Sequence, residues 1–322
     1  MDHSMLTGYP YGFVEEDWFR LREQSFKESI QPQYRKLING LSDESIAEID
    51  MYLARLKRIP YQAPRVQACC NYGELLHSDI TPWDLEQLQA IHQFDCNTYY
   101  KMLNIPEGVP CVIPASLYHN GLKLLSRDDL RTVVGRDIID GGAYLGESAF
   151  MFAQYAPKKI YAFEPDPNRC QQMRGFFDQS LTPELFECVC AGIGEKDGFA
   201  SLSENGAGST MNTDLAGDDS SGQPQLQVCS IDSFVQKNNL DVGCIKLDIE
   251  GMELEAMHGA AQTIATCRPV LLISIYHTAK DFFGVKPFIE SIADDYRFMV
   301  YHLDAREMLI EYMLIGIPER IK

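Results

Sequence analysis

Several features that mark other classes of protein are missing from this chain. No run of about 18 apolar residues occurs, so no transmembrane helix is expected. Basic residues are scarce, with 28 Lys and Arg against 46 Asp and Glu and a formal net charge of −18. No basic cluster stands out, which argues against a nucleic-acid polyanion as the main partner, because phosphate binding needs a basic stripe. Residues 1–18 hold no basic region followed by an apolar core, so no secretory signal is expected. The ten cysteines include no C-x-x-C pair and no zinc spacing. They read as reduced thiols of a cytoplasmic protein. No internal repeat is visible.

What is present is a chain of 322 residues that is 45% hydrophobic, ample for a large core. Its first third reads as helical. Residues 15–38 place Trp18, Phe19, Phe26, Ile30, Tyr34 and Leu37 on one face at three-to-four spacing. Ser42 reads as the cap of a second helix striped by Ile46, Ile49, Leu53 and Leu56, with Arg55, Lys57 and Arg58 complementing the dipole of its last turn. Residues 61–67 read as a linker. Thr81-Pro82 opens a third helix. These aromatic-rich helices can pack against the main domain, form a lid over substrate, or offer a face for pairing two copies. Prolines at 106, 110 and 114 mark a boundary. The expectation is an N-terminal helical accessory domain over 1–112 and an α/β domain over 113–322. His119, just past the boundary, is a lone histidine and reads as structural.

From Val133 onward strands and helices alternate. Strands are expected at 133–140, 160–164, 185–189, 244–248, 270–276, 297–301 and 309–315, the last two antiparallel. Helices are expected at 168–177, 231–238, 253–265 and 287–294. Residues 192–209 read as turns and short strands, 205–210 (NGAGST) as a hinge-rich loop, and 214–225 as an acidic mobile stretch. Repeated strand–helix units imply an α/β fold with a doubly wound, mostly parallel seven-stranded sheet.

Ligands of open α/β sheets bind beyond the carboxyl ends of the strands. The residues there are Asp140 and Gly142, Glu164, Asp248 and Glu250, and Tyr276 and His277. Each strand runs apolar and then ends in a polar or charged group. Glu164, followed by Pro165, comes 24 residues after Asp140, near the spacing at which an acid reaches a ribose diol. The glycine turn distinguishes two nucleotide cofactors. A dinucleotide site wants G-x-G-x-x-G, but counted from Gly141 the middle position is Ala143. The turn instead fits D-x-G-x-x-x-G through Asp140, Gly142 and Gly146. That pattern suits S-adenosylmethionine, which carries no phosphate.

With IIDGGAYLGES, KKIYAFEPDPN, AGIGEKDG, GAGST, SIDSF, IKLDIEGMELEAMHGA and PVLLISIYH in that order, residues 117–318 resemble the FkbM family of class I S-adenosylmethionine-dependent methyltransferases. The resemblance implies a Rossmann-like seven-stranded methyltransferase sheet and methyl transfer to a hydroxyl oxygen of a sugar or natural product, leaving S-adenosylhomocysteine. It implies cofactor contacts at Asp140, Gly141, Gly142, Ala143, Tyr144, Gly146, Glu164, Pro165, Ala191, Gly192 and Asp248. Tyr144 departs from the asparagine common at its position. Asp248 and Glu250, two apart, would share a face if the strand continued that far. They would then position the acceptor and orient His277 as general base. The same three residues form a weaker candidate for a divalent metal, since their spacing carries no ligand signature. Other acids, Asp166, Asp197, Glu253 and Glu255 among them, read as caps or solvated faces. Two other functions stay open: a non-catalytic binder that retains the fold, and an NAD-dependent oxidoreductase, which the glycine spacing disfavours.

Overall fold

A computed structural model describes residues 30–58, 82–111, 114–205, 208–212, 225–304 and 309–319. The expectations for residues 15–29, the linker at 61–67, the Thr81 cap and nearly all of the acidic stretch at 214–225 fall outside these residues.

The seven strands expected from the sequence form one sheet in the order β10-β11-β9-β8-β1-β2-β3. Its members are β1 (Asp137–Gly141), β2 (Lys159–Phe163), β3 (Phe186–Val189), β8 (Val242–Leu247), β9 (Val270–Ser274), β10 (Tyr296–His302) and β11 (Tyr312–Pro318). The strands β9, β8, β1, β2 and β3 run parallel, while β11 pairs antiparallel with β9 and β10 with β11. Every residue of β1, β8 and β9 is buried, as expected of parallel strands covered on both faces. Alternate residues feed two cores. Ile139, Leu271 and Ile273 face one with Tyr52, Met257 and Phe282. Ile138 and Leu272 face the other with Leu117, Phe150 and Phe177. Each such side chain contributes roughly 1.5–3 kcal/mol by leaving water.

A smaller sheet escaped the sequence reading. It has the order β4-β7-β5-β6, from β4 (Gly192–Ile193), β5 (Gly198–Asn205), β6 (Gly208–Asn212) and β7 (Gln225–Cys229). The stretch expected to be a hinge-rich loop, 205–210, is instead the end of a hairpin, with Asn205 opposite Gly208.

In the N-terminal third lie α1 (Gln31–Ile38), α2 (Asp43–Arg58), α3 (Pro82–Gln93), α4 (Cys96–Met102) and α5 (Pro114–His119). Ser42 takes its expected place, its Oγ accepting from the Ser45 amide at 3.3 Å. Arg55 lies in the last turn as expected but is fully buried there, and its guanidinium donates to Asp84 at 2.5 Å and to the Tyr312 hydroxyl at 2.6 Å. Asp84 also meets His302 Nδ1 at 2.8 Å. Helix periodicity placed Arg55 off the apolar stripe, but a partner 29 residues away draws it inward. The apolar stripe of α2 joins the sheet's own core through Ile49 and Tyr52.

Cys96 and Cys111 form a disulfide, with Cα atoms 6.8 Å apart. The reading of all ten cysteines as reduced thiols is corrected for this pair. The chain doubles back after α4, and the Tyr100 hydroxyl donates to the Pro110 carbonyl at 2.6 Å. Cysteines 15 residues apart carry no spacing signature, so only the fold reveals their partnership.

Just before β1 comes α6 (Arg127–Leu130), and beyond it come α7 (Glu147–Ala153), α8 (Pro167–Asp178) and α9 (Ile231–Asn238). The segment expected as one helix over 253–265 is two, α10 (Glu253–His258) and α11 (Ala261–Cys267), and the helix expected at 287–294 is α12 (Ala279–Ile292). Pro287 looked like a helix start but sits inside α12, whose N-cap is Thr278, with its side chain accepting from the Asp281 amide. No helix among the described residues is long and apolar enough to cross a membrane.

The Arg55–Asp84 pair is a direct test of how the N-terminal helices are fastened. Asp84→Asn removes the carboxylate charge that faces a buried guanidinium and is expected to cost about 3 kcal/mol. The check is the shift of the urea midpoint.

Candidate active site

The order of strands reverses at β1, which lies between β8 and β2, and this switch point is where ligands of such sheets bind. Three strands weave the turn after β1 into place. The Gly142 and Ala143 amides both donate to the Phe163 carbonyl at the end of β2, at 3.1 and 2.9 Å. The Asp248 amide donates to the Gly141 carbonyl at 3.2 Å. Lys246, opposite Asp140 in the ladder, sends its Nζ to the Gly141 and Gly142 carbonyls at 3.0 Å each and lies 3.4 Å from Asp140 Oδ1. Gly142 has φ +71°, and a Cβ there would stand 1.8 Å from the Asp248 carbonyl oxygen. Only glycine lets β1 and β8 end this close together.

Asp140 is completely buried, and its Oδ2 accepts from the Ser148 hydroxyl at 2.6 Å. Burial raises its carboxyl, while Lys246 and Ser148 draw it back part of the way. It braces the turn from beneath. Glu147, at the start of α7, is pushed up to about 7 by burial. Of the turn's residues it is Tyr144 that is exposed, held at φ +51° under the Arg169 guanidinium at 4.9 Å. Glu164 is buried at the end of β2. Its Oε1 accepts from the Asp166 amide at 2.9 Å, and Asp166 caps α8 as expected. The Glu164 amide donates to the Val189 carbonyl at 3.2 Å, which brings Pro165, Ala191 and Gly192 to the same edge.

Asp248, Glu250 and His277 come together, though by a different route from the one expected. Strand β8 stops at Leu247. Glu250 lies in the left-handed region at φ +59°, followed by Gly251 at φ +95°, so a tight turn rather than a shared pleat brings the acids to one ring. His277 Nε2 lies 3.5 Å from Asp248 Oδ1 and 3.6 Å from Glu250 Oε2. Its Nδ1 faces Glu253 Oε1 at 2.9 Å, an ion pair without the alignment of a hydrogen bond. The Tyr276 hydroxyl donates to Asp248 Oδ1 at 3.3 Å. Burial alone would lower the imidazole; the charge of Glu253, then of Glu250 and Asp248, outweighs it and raises the ring well above its ordinary value.

Sequence reasoning missed Glu253 and Lys246. Glu253 does cap, accepting from the Ile249 and Gly251 amides at 2.8 and 3.0 Å, but it is fully buried and also faces His277. The missed signal for Lys246 is a lysine within an otherwise apolar strand, because a buried ammonium needs dedicated partners. His119 sits apart on α5, between the Trp83 and Tyr118 rings, and burial lowers it to about 4.

A family model for the methyltransferase FkbM domain matches residues 140–312. The chain belongs to the FkbM methyltransferase family. The FkbM methyltransferase of Methylobacillus flagellatus KT superposes with a TM-score of 0.54 at 20% identity, over 93% of this chain and 60% of that one. This chain therefore spans less than two thirds of that relative's length. Two solved structures match more loosely. Aeropyrum pernix fibrillarin with bound S-adenosyl-L-methionine has a TM-score of 0.35 and 12% identity, over 58% of this chain and 68% of its own. The Bacillus cereus O-methyltransferase with SAH has 0.36 and 8%, over 77% and 96%. Nothing about this FkbM chain is concluded from those two. No curated protein matches it in sequence. The fold is the seven-stranded methyltransferase fold with N-terminal helices added.

Glu147 offers a pH test of the turn. Between its ordinary 4.5 and about 7, the folded protein keeps a proton that the unfolded chain has released. The group's contribution to stability therefore falls as pH rises through that window. Glu147→Gln is expected to gain roughly 1–3 kcal/mol over the parent at pH 8 and almost nothing at pH 4.5. Urea unfolding at the two pH values reads the difference.

Proposed function

We propose that this FkbM methyltransferase moves a methyl group from S-adenosyl-L-methionine to a hydroxyl oxygen of a small acceptor of sugar or natural-product type. The observation that carries the reading is the meeting, at the sheet's switch point, of a pinned glycine turn with Asp248, Glu250 and His277. The residues present fit this cofactor better than a dinucleotide. A pyrophosphate needs free backbone amides, yet the Gly142 and Ala143 amides are already given to the Phe163 carbonyl and the Gly146 amide to that of Ala143. Acids line three of the strand ends, at Asp140, Glu164 and Asp248 with Glu250. Residues 141–146 would hold the amino-acid end, Glu164 and Pro165 the ribose, and Ala191 and Gly192 the adenine, with Asp248 completing the set.

When bound, S-adenosylmethionine supplies an electrophilic methyl on a sulfonium sulfur. The chain's own groups do the rest. Asp248 and Glu250, partly exposed at 30% and 45%, accept the acceptor's O–H and set its oxygen in line. Tyr276 holds Asp248 in place. His277 serves as base with its ring unprotonated, a form that positive charge arriving beside Asp248 and Glu250 favours. The helices of residues 1–112, the accessory part of the chain, would wall the acceptor side through Tyr52, whose hydroxyl donates to the Tyr276 carbonyl at 3.4 Å. A non-catalytic binder of the same fold is the competing reading.

The test is a screen of hydroxylated metabolites with methyl-labelled S-adenosylmethionine, beside calorimetry with S-adenosylhomocysteine and NAD. The expected result is binding of S-adenosylhomocysteine but not NAD, label on an oxygen, and turnover lowered about 10²-fold or more by Asp248→Asn. Label on nitrogen or carbon, or an Asp248→Asn/His277→Gln double variant that turns over normally, overturns the reading.

A further inference from the structure

Around His277 negative charge is in excess. Asp248, Glu250 and Glu253 all approach one imidazole within 3.6 Å. Among the described residues the ion pairs of Asp248 and Glu253 run to His277 alone. Lys246 is turned the other way, onto Asp140 and the glycine carbonyls. Glu253 is fully buried and fixed by two backbone amides. The His277 side chain is 7% exposed, and its Nδ1 has a carboxylate opposite it but no hydrogen-bond partner. Nδ1 thus meets Glu253 without the alignment of a hydrogen bond while Asp248 stands on the Nε2 side of the same ring, so the imidazole is hemmed in by carboxylates that it does not satisfy.

We propose that Asp248, Glu253 and His277 bind a hard divalent cation of the Mg²⁺ or Mn²⁺ class, with the acceptor's hydroxyl oxygen taking one of its open positions. One ligand atom from each of the three lies within 4.8 Å of the other two. Ligands about 2.1 Å from such an ion and at right angles stand roughly 3 Å apart, close to the 2.9 Å between Nδ1 and Glu253 Oε1. Two carboxylates and one imidazole, with no thiolate, are a donor set for these metals. The two amides on Glu253 supply the outer support that orients such a ligand. Three protein ligands leave positions free, and Asp248 gives the site an open side. The sequence had suggested Glu250 as the second acid. The structure puts Glu253 there, leaving Glu250, at 45% exposure, beside the mouth. A second buried cluster, Glu48, Asp84 and His302, is a poorer candidate because the Arg55 guanidinium already supplies its cation.

The cation's use rests on the hydroxyl-methylation reading; its binding does not. With His277 taken up as a ligand, this route replaces the imidazole base: a bound hydroxyl becomes more acidic, and its proton leaves by way of Glu250 to solvent. The oxygen keeps the O–H electron pair and uses it to form the new bond to the methyl carbon, as the carbon–sulfur pair returns to sulfur. Nothing is oxidised or reduced.

The experiment uses the full chain, stripped with EDTA and titrated with Mn²⁺ alone, the bound ion being read by electron paramagnetic resonance. One Mn²⁺ per chain is expected, displaced by Mg²⁺. Its affinity should fall at least about tenfold in Asp248→Asn and, separately, in His277→Gln, with unchanged circular dichroism showing that each variant folds. Glu48→Gln, in the other cluster, should bind like the parent. An entirely free Mn²⁺ signal, or affinity indifferent to both variants, overturns the site. Methyl transfer to a hydroxyl that persists in EDTA, with no bound Mn²⁺, removes the cation and leaves the proposed function standing. One bound Mn²⁺ in a chain that methylates no hydroxyl removes the function and leaves the cation.

Discussion

The site hangs on one ammonium group. Lys246 is nearly buried in the middle of an apolar strand, and its Nζ holds two successive carbonyls, of Gly141 and Gly142, while facing Asp140. Burial alone would strip its proton; the charges of Asp140 and Asp248 outweigh this and keep it. The arrangement fixes the turn from one side as the Phe163 carbonyl fixes it from the other. A backbone held by an ammonium on its carbonyls and a carbonyl on its amides has little freedom to rearrange on ligand binding. The glycine turn is therefore a rigid edge, with its Gly142, Ala143 and Gly146 amides already committed to carbonyls.

The second dependence runs through the buried Arg55–Asp84–His302 network. It joins helices from the first third of the chain to β10 and β11 at the sheet's carboxyl-end edge. Burial would raise the Asp84 carboxyl, but hydrogen bonding and charge from His302, and then Arg55, hold it well below the ordinary range. Buried charges of this kind do little for net stability, but they penalise every arrangement that separates them. The N-terminal helices are thereby docked in one position beside Tyr276 and His277. Their apolar faces alone, which merge into the sheet's core, would tolerate sliding.

Much of the fold was legible because parallel strands buried on both faces leave long apolar runs, as Val270–Ser274 does, and each of the seven was found within a few residues of its place. The pairing of the short strands at 192–229 into a sheet was not, since edge strand β4 is only two residues long and pairs with β7 across 36 residues, Gly192 opposite Val228. At the site, single residues at strand ends were readable because a charge after an apolar run is conspicuous. What could not be read was how a turn would group them. Glu253 looked like an ordinary cap, and it is one; the left-handed turn at Glu250 and Gly251 then swings it under His277. Lys246 was missed, and the burial of Arg55 was not foreseen, for a common reason. Each is a cation whose burial makes sense only beside a partner distant in sequence, and neither periodicity nor capping rules carry that information. The Cys96–Cys111 pair was hidden in the same way.

The charge at His277 links these points. A ring surrounded by three carboxylates is a poor base, because its proton neutralises the cluster that holds it. Two kinds of positive charge can change that: a sulfonium at the turn, or a divalent ion among the acids. They differ in what happens to Glu253. A sulfonium near Asp248 leaves the deeply buried Glu253 facing the imidazole, so one strong partner of the proton persists. An ion bound by Glu253 itself removes that partner and the need for the ring to carry charge at all. The depth of Glu253, two amides fixed on its oxygens and no solvent around it, favours the second. The chain has placed its least accessible acid on the inner side of the ring, where no acceptor hydroxyl could use it directly but an ion bridging to the surface could.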